Sequence, residues 1–351
     1  THEYYHWRAA LTRRLIAECG YSFVAIEADQ PDCQRIDDCV RAAGGDGDDP
    51  GAALDGLRHW PSWMWANAET VSFSRWLRTH NAGQPEDGRV AWYGLDAYPL
   101  WGATRVVLDY LRERSPGRVN ASLDGNTRGQ PMVPVEHIDA VVARLTATYG
   151  GEAHYPSMVR GGTEAWNARD RHWADRLDRL LAAHGRQARG VVWAHNTHIG
   201  DARATSMPAA GMVNIGQLAR QRYGAGNVAL VGLVGGDGEV VAAHERGGAM
   251  DTIPVPEPQP GSVEALLAAT GLRAALFIFD ERADQAWATG ERGQRAIGVV
   301  YDPAADTDRY VPTRLAQRYD ALCWFARTSA VRALHLDAAR RGELETLRDP
   351  R

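Results

Sequence analysis

The 351-residue chain contains no lysine, so every one of its 39 basic residues is an arginine. Schiff-base catalysis and pyridoxal phosphate anchoring both need a lysine amine, and a Walker A loop needs its lysine. All three are excluded. Neither GxSxG nor GxGxxG occurs, which removes the usual nucleophile elbow and the dinucleotide fingerprint. No cofactor is expected. Cysteine is scarce: Cys19, Cys33, Cys39 and Cys323 form no CxxC pair, which argues against a zinc ribbon or a thioredoxin-like site. They read as reduced, mostly buried thiols of a cytoplasmic protein. No apolar run approaches the roughly 20 residues of a membrane span. The net charge of −5 lacks the basic excess of a nucleic-acid binder. Neither a nucleic acid nor a membrane is therefore the expected partner.

The chain is 44% hydrophobic, enough for a large core. Tyr4 to Cys19 carries apolar residues at helical spacing and ends at Gly20. Tyr21 to Ala28 reads as a buried strand, and Pro31 opens a second helix. Glu69 to His80 reads as a helix, Arg89 to Leu95 as a strand, and Gly190 to Ala194 as a third strand running into His195. Helices are expected over Leu100 to Arg114, Val135 to Tyr149 and Thr163 to His184. Further on, Val228–Val234 and Glu239–Ala243 suggest a hairpin around Gly235-Gly236-Asp237-Gly238. Ala274–Phe279, Ala296–Tyr301 and Tyr319–Phe325 are apolar enough for strands. Strands separated by helices predict a three-layer α/β fold with a mainly parallel sheet covered on both faces. The expected division is an α/β core over 1–97 and 186–351, with an inserted helical lobe over 98–185.

Ligands of open α/β sheets bind at the carboxyl ends of the strands. Three strands here give way there to polar groups: Glu27, Asp96, and the cluster His195-Asn196-Thr197-His198. A carboxylate beside an imidazole can orient it and hold its charge, as general acid–base chemistry requires. Trp63, Trp65 and Trp101 could line an apolar cleft for a large ligand, or serve as core. Asp170 and His172 lie on the long helix, where either a cleft or a local pair could use them. His2-Glu3-Tyr4-Tyr5-His6 is a literal HExxH string, which offers a zinc alternative. A second metal alternative would use Glu27, His195 and His198.

WAHNTHIGDAR (Trp193 to Arg203) resembles the strand-end His-Asn-x-His motif of the erythromycin esterase family. THEYYHWRAALTRRLIAECGYSFVAIEAD (Thr1 to Asp29) resembles that family's N-terminal helix and first strand. RDRHWADRL, PSWMW and YGLD resemble further recurring blocks, in order and spacing, over essentially the whole chain. The resemblance implies a three-layer core with a helical lobe over a deep cleft. It also implies hydrolysis of an ester, the macrolactone of erythromycin-type antibiotics in known members, by water that a histidine activates. The catalytic positions it implies are Arg8, Glu27, His195 and His198, with Asp96, Trp63, Trp65 and His172 as substrate-binding candidates. The family's Gly-Glu-x-x-His-Gly motif, which holds the general base, lies upstream of the position matching Thr1. It is expected to precede Thr1 in a longer chain, the alternative being a chain without that base. A non-hydrolytic member that binds or processes a natural product, and a zinc-dependent hydrolase, are the competing readings.

Overall fold

The structure is a computed structural model, and it describes residues 1–42, 49–57, 60–96, 162–279 and 285–342. Helix α1 (His2–Cys19) stops at Gly20, whose φ of 66° supplies the left-handed cap. The Gly20 and Tyr21 amides donate to Ile16 and Leu15, satisfying the last turn. The chain then enters β1 (Phe23–Asp29), which is buried along nearly its whole length. Helix α2 (Gln30–Arg41) follows it directly. Helix α3 (Ala68–Ala82) starts at Asn67, whose side chain accepts the Thr70 amide. It leads to β2 (Ala91–Asp96).

Helix α4 (Gly162–His184) precedes β3 (Gly190–Trp193). The order β2-β1-β3 is parallel throughout. Such a sheet must be covered on both faces, and it is. One face carries Trp65, Phe73, Trp92 and Trp193 with α1 to α3, while the other packs on Trp173, Leu177 and Leu180 of α4.

The second half begins with the single turn α5 (Asn196–Ile199) and helix α6 (Ile215–Tyr223). Strands β4 (Val231–Ala243) and β5 (Met250–Val255), helix α7 (Val263–Ala268) and strand β6 (Ala274–Ile278) follow. The chain closes with β7 (Arg292–Arg295), β8 (Tyr310–Thr313) and β9 (Ala321–Thr328). A four-stranded sheet runs β5-β4-β9-β6, with the central β4–β9 pair parallel and both edge strands antiparallel. Strands β7 and β8 form a separate antiparallel ribbon. The fold is mixed α/β with a mostly parallel central sheet.

Asn196 joins the two larger sheets. Its side-chain amide donates to the Leu233 carbonyl at 2.6 Å, and its oxygen accepts the Leu233 amide at 3.2 Å. One side chain thus does for β4 what a neighbouring strand would.

Two strand expectations need correction. The residues expected to turn at Gly235-Gly236-Asp237-Gly238 run on as one 13-residue strand. The glycines are there for approach: a Cβ on Gly238 would lie 1.9 Å from the Thr328 carbonyl oxygen, and one on Gly236 2.3 Å from that of Ala326. Val231 to Gly238 pairs with β9, and Gly238, at φ 132°, hands the strand over to β5. Ala296–Tyr301 is not a strand and makes only an isolated bridge, Ala243 to Val300. Its Ile297 carbonyl is turned toward the His195 ring instead.

The cysteines also differ from expectation. Cys33 and Cys323 are buried, but Cys39 is half-buried and Cys19 is exposed. Of the helical lobe assigned to 98–185, residues 98–161 lie outside the described residues, as do Trp101 and both helices expected there. The part described, α4, lies on the three-stranded sheet. Among the described residues, no helix is long and apolar enough to cross a membrane.

Candidate active site

A cavity of about 460 Å³ opens where β1 and β3 end. Glu27, His195, His198 and Arg8 all border it, and so do Trp63 and Trp65. Parallel pairing explains the first part of this convergence. Ile26 of β1 is in register with Trp193 of β3, so Glu27 and the residues after Trp193 emerge at one sheet edge.

Glu27 is the hub. Its Oε2 accepts the backbone amide of His195 at 2.9 Å. Its Oε1 lies 3.2 Å from Nη2 of Arg169 and 3.6 Å from Nε2 of His198. Burial alone would raise this carboxyl. The charges of His198 and Arg169, with the His195 amide, outweigh it and hold Glu27 below the usual glutamate range.

His198 is fixed from behind. Its Nδ1 sits 2.9 and 3.0 Å from the two carboxylate oxygens of Asp170, which is fully buried. Asp170 Oδ1 also accepts the Ile215 amide at 2.8 Å. Trp166 stacks on the imidazole at 4.2 Å and Trp173 leans on it at 4.6 Å. With Nδ1 committed to Asp170, Nε2 is left facing Glu27.

The His195 ring is differently occupied. Nδ1 contacts the Thr197 hydroxyl at 2.7 Å and accepts the Thr197 amide at 3.3 Å, while Nε2 points at the Ile297 carbonyl, 2.9 Å away. That pattern belongs to a neutral ring protonated on Nε2. Burial depresses its pKa, with Glu27 opposing. His195 therefore caps α5 and braces Glu27 through its backbone, and both ring nitrogens are already engaged.

Arg8, one turn after Tyr4 on α1, lies against three aromatic faces: Tyr5 at 4.4 Å, Trp193 at 4.5 Å and Trp65 at 5.3 Å. Its Nε and Nη2 are buried without a hydrogen-bond partner among the described residues. Burial lowers its pKa, and Tyr5 and Glu27 oppose that. Trp65 itself donates to the Glu27 carbonyl at 2.8 Å.

Asp96 and His172 do not border the cavity. Asp96 is buried and committed elsewhere: it takes a two-pronged bond from Arg169 at 2.9 and 2.6 Å, and the Trp173 indole at 2.7 Å. It acts on the site through Arg169, which bridges it to Glu27, and through Trp173, which leans on His198. His172 sits two residues beyond Asp170 on α4, about 200° around the helix, so the two cannot share a face. Arg169, Asp170 and Trp173 do share one. The RDRHWADRL block thus holds the relevant residues, and the helical periodicity of that block was the signal that separates them from His172.

The HExxH string has other duties. His2 Nδ1 meets Glu69 Oε1 at 2.7 Å, Glu3 accepts the amide and hydroxyl of Ser329, and the His6 side chain is exposed. Among the described residues, no group of three or more His, Cys, Asp or Glu is placed to hold a metal ion.

The sequence pattern described as erythromycin esterase matches residues 16–328. The chain belongs to the erythromycin esterase family. Solved structures share this family's fold with it at low identity. A succinoglycan biosynthesis protein superposes with a TM-score of 0.68 at 18% identity, over 94% of this chain and 85% of that one. A protein from Bacillus cereus gives 0.66 at 13%, over 93% and 85%. A mutant of the erythromycin esterase EreC in its open conformation gives 0.60 at 15%, over 94% and 88%. Membership of the erythromycin esterase family points to a hydrolase-like activity.

Proposed function

We propose that this protein hydrolyses an ester of a bulky, largely apolar small molecule, a macrolactone being the substrate class that its family suggests. The observation that carries the reading is the convergence of Glu27, the His198–Asp170 pair and Arg8 on one aromatic-walled cavity.

Each group has a chemical task. Arg8 borders the cavity with donors that have no protein partner, so it can meet the ester oxygen as negative charge develops on it. Ionised Glu27 accepts a hydrogen from water and aims its oxygen at the ester carbon. As the new C–O bond forms, the water proton passes toward the Glu27–His198 pair. His198 returns a proton to the leaving alkoxide when the ester C–O bond breaks, giving an acid and an alcohol. Asp170 supports the imidazolium in that step. His195 holds Glu27 in place and keeps a neutral ring on the cavity wall.

The test is an assay of the purified protein against a simple aryl ester and a macrolactone, with ring opening followed by mass. Cleavage that drops about a hundredfold or more in His198→Asn is the expected outcome. Turnover unchanged in that variant removes His198 from the chemistry. A protein that binds macrolactones tightly and never opens them overturns the hydrolase reading.

A further inference from the structure

Two carboxylates border the cavity among the described residues, and the site above uses only Glu27. The other is Glu264 on α7, which is 1% exposed. Its structural task needs one oxygen: Oε1 accepts the Arg295 amide at 3.0 Å, tying α7 to β7. Oε2 is buried and has no hydrogen-bond partner among the described residues. A glutamine would make the same tie, so packing does not explain the second carboxylate oxygen.

The neighbouring cation does not complete it. Arg295 donates to the carbonyls of Gly236, Pro256 and Glu257 and to the Tyr310 hydroxyl, at 2.7 to 3.1 Å. It is also paired with Asp306 at 3.2 Å. Arg295 is thus shared with Asp306, and among the described residues Glu264 makes no ion pair of its own. The mismatch shows in its proton affinity: burial pushes the carboxyl up to about 7, with Arg295 pulling down and Asp306 pushing up. A buried anion in this position is stabilised by a cation that brings its own hydrogen-bond donor.

We infer that Glu264 is a second recognition point in this cavity, receiving a protonated amine that the bound molecule carries apart from its ester. The inference rests on reading the cavity as the substrate site. Arg309 borders the same cavity, so a wall that prefers anions is the opposing outcome.

The experiment needs no turnover. Phenethylamine, phenethyl alcohol and phenylacetate have nearly the same shape and differ in charge. Their binding to the intact protein can be followed by calorimetry or by the fluorescence of the cavity tryptophans. The amine should bind about tenfold more tightly than the alcohol, as expected for a charged hydrogen bond. Glu264→Gln should abolish that preference while leaving the alcohol's affinity unchanged, which also shows that the variant is folded. Glu27→Gln should keep the preference, so a loss in that variant overturns the inference even if the first variant does not fold. Equal binding of amine and alcohol, tighter binding of phenylacetate, or a preference lost in Glu27→Gln instead would each overturn the inference. Amine binding without any ester cleavage would leave it standing and sink only the hydrolase reading.

Discussion

Both carboxylate oxygens of Asp170 lie within 3.0 Å of Nδ1 of His198, so this imidazole has one orientation and one free nitrogen. The helix α4 supplies the carboxylate and the turn after β3 supplies the ring. Asp170→Asn keeps the shape and removes the charge that would support an imidazolium. We expect kcat to fall by about a hundredfold or more with KM little changed. A proportionate rise in KM with kcat intact would show that Asp170 only shapes the cavity.

Arg8 separates stability from catalysis. Its guanidinium is stacked on aromatic rings and leaves two nitrogens unpartnered, a costly state for a buried charge. Arg8→Met should fold with a Tm at or above that of the parent. It should also lose about a hundredfold in kcat, the cost of removing one donor to a developing oxyanion. A large fall in Tm would instead mark Arg8 as a structural brace.

Glu264 sets a pH dependence of stability. Its folded pKa of about 7 lies above the ordinary 4.5. A raised carboxyl gives stability that is fully present below 4.5 and lost as pH rises through 7. The groups facing it are Arg295, Asp306, Tyr4, Tyr310 and Tyr319. Glu264→Gln should therefore stabilise the protein at pH 8, by roughly 3 kcal/mol at most, and have little effect at pH 4. Parallel denaturation curves for the two proteins across that range would refute the assignment.

Glu27 behaves in the opposite sense. Its pKa is depressed, so the stability it contributes is present above 4.5 and is lost as pH falls through the folded value. The acid limb of activity should accordingly lie below pH 4.5, provided the protein stays folded there. An acid limb near neutrality that disappears in His198→Asn would assign it to the imidazole instead.

Asn196 carries a mechanical prediction. Asn196→Ala would leave the Leu233 amide and carbonyl without their partners at the junction of the two sheets. A loss of about 2–4 kcal/mol is expected for two such bonds, measurable by urea denaturation. A change under about 0.5 kcal/mol would mean that water replaces the side chain.

The sequence was most legible where local chemistry and periodicity agree. Gly20 stops α1 because only a residue free to take positive φ can cap that helix without strain. The apolar run before Glu27 reads as a buried strand and is one, and Gly190 to Trp193 reads as a strand, of which only Trp193 is buried. Legibility failed where glycine served approach instead of turning, as at Gly236 and Gly238. It failed again at 296–301, an apolar stretch that makes a single bridge to β4 and turns its Ile297 carbonyl to the His195 ring.

By itself the sequence determined that Glu27 and His195 each stand at the end of an apolar strand, and the parallel pairing of β1 with β3 then brings them to one edge. It also excluded every lysine-based chemistry. Only the tertiary structure decided which polar residues complete the site. Asp170 and Arg169 come from α4 and Glu264 from α7, far along the chain, and their charges acquire meaning only through the distance to a partner. No pattern of spacing encodes that distance, because packing between layers sets it.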